Sequence, residues 1–162
     1  MVVGKYLYAF GGFQTQHYGQ VGVSSFERID ITNPAAKWET QQFTPDSIDL
    51  GEIACFYLFD MTNYLRENAT INDPTIIRTE NGDIERAIML IGGWSKHSFL
   101  TELSIFYPNI NKLTRWSNER ENIRLQAPDM ITKRPILYQD CLHVLGRHHI
   151  HIIDLKNKKT YF

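Results

Sequence analysis

Four of the six histidines fall close together at the C-terminal end: His143, His148, His149 and His151, with Asp140 and Asp154 beside them. Imidazole is the commonest protein ligand for transition metals and titrates near neutral pH. On an extended strand His149 and His151 share a face, so together they offer two nitrogens to one ion. No further ligand stands at a recognisable zinc spacing, and no cysteine pair supports such a site. The residues therefore read as half-exposed strand positions beside a turn. The competing reading is a metal-dependent enzyme domain built on this His-rich stretch.

A second set of side chains is suited to recognition. Gln16, His17 and Tyr18 follow Gly11-Gly12; Trp94, Lys96 and His97 follow Gly92-Gly93; Arg147 and His148 follow Gly146. Aromatic, imidazole, amide and guanidinium groups in one surface fit contact with a protein partner. Reaction chemistry has no comparable support. The chain carries no nucleophile elbow, no glycine-rich phosphate loop and no HExxH helix. The reading is a non-enzymatic protein with no cofactor.

Short apolar runs position these groups. Tyr6, Tyr8 and Phe10 alternate with Leu7 and Ala9, giving a strand apolar on both faces that ends at Gly11-Gly12. Residues 25–31 and 37–43 read as the next two strands, the latter mixed in polarity and suited to an outer edge. Residues 53–59, 86–93, 100–107 and 112–117 repeat the order, and residues 131–138, 141–146, 149–155 and 158–162 repeat it in worn form. Pro135 must stand where no ladder donor is required. Residues 61–83 are polar and break the rhythm; they read as an insertion in which residues 62–68 form a short helix capped by Thr62.

The spacing supports a repeat. Gly93 to Gly146 spans 53 positions (146 − 93), and Gly12 to Gly93 spans 81 (93 − 12), the insertion making most of the difference. Four short strands with a period of about 50 residues are the pattern of a propeller blade. The chain resembles the kelch-repeat family. The resemblance rests on Leu7-Tyr8-Ala9-Phe10-Gly11-Gly12 with Asp30 and Trp38, on Met89-Leu90-Ile91-Gly92-Gly93 with Phe106-Tyr107 and Trp116, and on a degenerate copy with Gly146, Asp154 and Tyr161. It implies an all-β, partial kelch-type β-propeller of roughly three four-stranded antiparallel blades. The blade units fall at about 5–43, 53–117 and 131–162 of a single segment, 1–162, and the first blade lacks its first strand.

In kelch proteins the glycine pair ends the second strand of a blade, and the later aromatic residues pack between blades. The resemblance thus makes Gly11, Gly12, Trp38, Gly92, Gly93 and Trp116 structural. It also places the loops after the glycine pairs at one mouth, together with the inter-blade connectors at 44–49 and 118–129. The metal-dependent members of kelch-like folds need a Cys–Tyr–His constellation or a spaced Glu, Asp and His set, which has no counterpart here.

An arc of three blades leaves two apolar end faces, and surface of that size is rarely left wet. The expectation is completion by another copy, by another chain of a complex, or by the remainder of a longer protein: a scaffold or interaction subunit that is homo- or hetero-oligomeric. Lys and Arg number 17 against 18 Asp and Glu. That balance argues against a nucleic-acid partner, and the lack of any apolar run of about 18 residues argues against a membrane one. The N-terminal stretch reads as no signal peptide. Cys55 and Cys141 read as buried reduced thiols, which favours the cytoplasm or another reducing compartment.

Overall fold

The computed structural model describes residues 1–10, 25–48, 57–68, 76–94, 98–118, 120–131 and 133–162. They form three four-stranded antiparallel sheets, each with its strands in chain order, and one short helix. The first sheet holds β1 (Val2–Val3), β2 (Tyr6–Phe10), β3 (Ser25–Asp30) and β4 (Glu39–Gln42). The second holds β5 (Tyr57–Asp60), β6 (Ile88–Ile91), β7 (Leu103–Tyr107) and β8 (Lys112–Arg115), with helix α1 (Thr62–Asn68) between β5 and β6. The third holds β9 (Ile136–Tyr138), β10 (Cys141–Leu145), β11 (Ile150–Asp154) and β12 (Lys159–Tyr161).

The first blade does not lack its first strand. Val2 and Val3 supply it, pairing with Leu7 and Tyr6 across a turn at Gly4, whose φ is 59°. The strand is only two residues long, too short for an alternating pattern to announce it. The matching turn of the third blade holds Gln139 at φ 53°, and the hairpins leading into β8 and β12 hold Asn111 and Lys158 at φ 52° and 50°. The repeat is thus written in backbone conformation as well as in strand order. Pro135 directly precedes β9, where no ladder donor is lost.

The middle sheet explains the packing. Ile88, Leu90, Phe106 and Leu113 face the first sheet and meet Val3, Tyr8 and Phe26 in one apolar cluster. The alternate residues Met89, Ile91, Leu103, Ile105 and Tyr107 face the third sheet and meet Leu142, Val144 and Ile153 in another. Both faces of β6 and β7 are buried, which is why their sequences, apart from Ser104, are apolar without alternation. Trp116 joins the second cluster and is fully buried between the second and third sheets. Trp38 departs from the inter-blade packing that the resemblance implies. It precedes β4 on the first sheet, which has no neighbour beyond it among the described residues, and it is 49% exposed.

The stretch at 61–83 is not a detachable insertion. Met61, Tyr64 and Leu65 are buried in the cluster between the second and third sheets, with Ile76 and Ile77 packed against it. Asp60, rather than Thr62, supplies the cap: its Oδ1 accepts the Thr62 N–H at 3.0 Å. The Thr62 hydroxyl instead accepts the Ala87 N–H at 3.1 Å, tying the helix to the chain entering β6. The Tyr64 hydroxyl donates to Asp140 Oδ1 at 3.3 Å, reaching the third sheet. Burial, together with the Asp140 charge, pushes the Tyr64 phenol up to about 12.

The connectors also pack. Ile48 packs against the first cluster, and its N–H donates to Leu113 O at 3.0 Å. Ile123 and Leu125 are buried between the second and third sheets. The 118–129 connector therefore packs into the core, and none of its described residues is helical.

Candidate functional site

The mouth at the glycine ends of the second and third sheets brings together Trp94, Arg147 and His148 with Asp129, His149 and His151. After β6 the chain turns through Gly92 and Gly93, at φ 63° and 122°, conformations that L side chains avoid. A Cβ on Gly92 would also stand 3.3 Å from Leu100 O. Leu100 N–H donates back to Gly93 O at 2.9 Å, and Trp94 bridges to Phe99, which holds the indole at the rim. Tyr57, Trp94, Phe99, Met130, Ile131 and Asp129 line a cavity of about 450 Å³, mostly apolar in its walls.

Asp129 organises the opposite wall. It ends the 118–129 connector, and its side chain is wholly buried. Its Oδ1 accepts the Arg147 N–H at 3.1 Å; its Oδ2 accepts the His148 N–H at 3.0 Å and the His149 N–H at 2.9 Å. Burial by itself raises this carboxyl, but the N–H donors of His148, His149 and Met130 and the His149 ring outweigh it and hold the group down at about 2. Gly146 makes room for the arrangement. A Cβ there would lie 2.1 Å from Asp129 Oδ2. The worn third copy keeps this glycine for close approach of a side chain, whereas Gly92 serves a left-handed turn.

His149 and His151 lie on the face of the third sheet that meets the second, as their spacing predicts. The expectation that they are half exposed holds for His149 alone; the His151 side chain is fully buried. His149 Nδ1 lies 3.3 Å and His151 Nε2 3.4 Å from Asp129 Oδ2. Burial lowers the His151 pKa and prevails over the proximity of Asp129, so the ring is neutral at pH 7. Phe162 packs against His149 edge-on, its ring centroid 4.9 Å away. His143 projects from the opposite face, paired with Ile136 and Ile152, and does not join them.

Of the recognition residues, the structure brings Trp94, Arg147 and His148 to this mouth. Arg147 and His148 are held there through their backbone amides on Asp129. Gln16, His17, Tyr18, Lys96 and His97 lie outside the described residues, as do Gly11, Gly12 and Cys55. Cys141 is a half-buried thiol on the outer face of the third sheet, not a fully buried one. The 118–129 connector reaches the mouth through Asp129. Residues 44–48 instead run along β8 from the Asn111 turn, at the sheet end away from Gly92. Asp129 was missed as a site residue because it lies 20 positions from His149 on a stretch that reads as a polar linker. Its only sequence signal is the glycine at 146, which reads equally well as a worn turn.

No family model matches the chain, and no curated protein matches it. No helix among the described residues is long and apolar enough to cross a membrane.

Proposed function

We propose that the chain is a non-catalytic scaffold or protein-interaction subunit of kelch type whose two end blades are covered by a second copy or by another chain of a complex. The observation that carries this reading is the outer face of the third sheet. Register puts Ile136, Tyr138, Ile150 and Tyr161 on that face, away from the second sheet. They are 60%, 65%, 58% and 48% exposed, in a protein whose middle sheet is buried on both sides. Together they present about 400 Å² of surface, the size of the largest apolar patch a monomer usually shows and one that often marks a contact site, with about 10 kcal/mol gained if it were covered.

The other end of the arc supports the same reading. Val2, Leu7 and Ile29 form a row on the outer face of the first sheet, and Val2, Ile31 and Trp38 are about half exposed. This row sits at the position that Ile88 and Leu90 occupy in the second sheet, where they pack on the preceding blade. The face is shaped for a blade like those already present. The mouth around Trp94 is the companion surface for a protein ligand.

Sedimentation equilibrium of the purified chain at micromolar concentration tests this. Completion by a second copy gives twice the chain mass, and completion by a partner gives a stable complex from the native source. A monodisperse monomer that stays soluble at high concentration overturns the reading.

A further inference from the structure

We propose that Asp129, His149 and His151 form a binding site for one divalent transition-metal ion of the zinc class, joining the second inter-blade connector to β11. The inference is independent of the scaffold reading. Three side chains each present one ligand atom, all within 4.8 Å of one another. Zinc bonds to nitrogen and oxygen at about 2.0–2.2 Å, so adjacent corners of its tetrahedron lie about 3.3–3.5 Å apart. Asp129 Oδ2 is 3.3 Å from His149 Nδ1 and 3.4 Å from His151 Nε2. Two edges of the tetrahedron therefore stand ready. The third closes by rotation of the half-exposed His149 ring.

A second observation points to the ion independently. His151 is fully buried, and among the described residues neither of its ring nitrogens has a hydrogen-bond partner. Its Nε2 lies near Asp129 without making a hydrogen bond to it. A buried polar group left unpaired is costly and calls for a missing partner such as an ion. A metal ion would take Nε2 and leave Nδ1 as the N–H tautomer.

The charge arrangement agrees. Asp129 is a buried carboxylate with no Lys or Arg within ion-pair distance among the described residues. The backbone N–H groups on it are the hydrogen-bonded surroundings that ligating carboxylates ordinarily have. Two neutral imidazoles and one carboxylate match zinc, cobalt or nickel and not calcium or magnesium, which prefer oxygen. Three protein ligands leave a fourth position for water or an incoming donor.

The test uses the full chain, stripped with a chelator and titrated with Co²⁺ and then Zn²⁺. The site predicts one Co²⁺ per chain with the strong visible absorption of a four-coordinate ion, displacement by Zn²⁺, and a rise in melting temperature on Zn²⁺ binding. His149→Ala removes a half-exposed ring, so the variant folds, and it should weaken binding by at least about 10–100-fold. His143→Ala, on the other face of the sheet, should leave binding unchanged. Three results would each overturn the proposal: no saturable Co²⁺ absorption in the native chain, undiminished binding in His149→Ala, or an equal loss in His143→Ala.

Discussion

Replacing Gly146 by alanine tests the packing of the mouth at a single methyl group. The added Cβ would stand 2.1 Å from Asp129 Oδ2 and 2.6 Å from Asp129 Cγ, far inside contact distance. The carboxylate cannot simply swing aside, because it holds the amides of Arg147, His148 and His149. Hydrogen bonds to a charged acceptor contribute about 1.5–3 kcal/mol each. The loop amides are only partly buried and regain water when released, so loss of the set is worth about 3–4 kcal/mol, or roughly 10 °C in melting temperature for a domain of this size. Asp129→Ala should cost a similar amount. The double variant is the discriminating one: the new methyl then occupies space that the carboxylate has vacated, so the two costs do not add. Urea unfolding followed by circular dichroism, in chelator, measures all four proteins. A Gly146→Ala variant within about 0.5 kcal/mol of native, or fully additive costs, would refute the close-approach argument.

Other outcomes follow from the same contacts. Leu65→Ala should cost about 2–4 kcal/mol in the same unfolding assay, and deleting residues 61–83 should abolish cooperative unfolding, because α1 fills the space between the second and third sheets. Gly92→Ala should cost about 1–2 kcal/mol in thermal melts, since it forces a side chain into a left-handed turn against Leu100 O. Buried His151 has a pKa lowered from 6.5, so the folded chain binds fewer protons than the unfolded one. Its contribution to stability is complete above pH 6.5 and is lost as pH falls below it. In chelator, unfolding free energy should drop between pH 7.5 and 5.5, and His151→Leu should flatten that drop.

The strands were legible wherever both faces are buried or where apolar residues alternate. Ile88–Ile91 is apolar throughout, and Leu103–Tyr107 is apolar but for buried Ser104, because they form the middle of the arc. Helix α1 was legible in its bounds but not in its role, since one Tyr and one Leu among Thr62, Asn63, Arg66, Glu67 and Asn68 give too weak a pattern to show that Tyr64 and Leu65 point into a core. The first strand was too short to see. Gly92 and Gly93 were legible as a turn because a glycine pair at the end of an apolar run marks a place where the chain can take left-handed conformations that most side chains disfavour. Gly146 looked like a decayed copy of that turn, and its real use depends on Asp129, which is brought to it only by tertiary folding. The same holds for the His149 and His151 pair: period-2 spacing puts them on one face, but the third ligand comes from a connector that no local pattern links to them.

The most direct test of the open-arc account is oxidative footprinting of the native particle, read residue by residue by mass spectrometry. Buried Trp116 and Tyr107 serve as internal references for full protection. The account predicts that Tyr138, Tyr161 and Trp38, exposed in the single chain, are protected nearly as well once the end blades are covered. Reaction of those three at the rate of an unfolded peptide, in a particle where Trp116 stays protected, would contradict it.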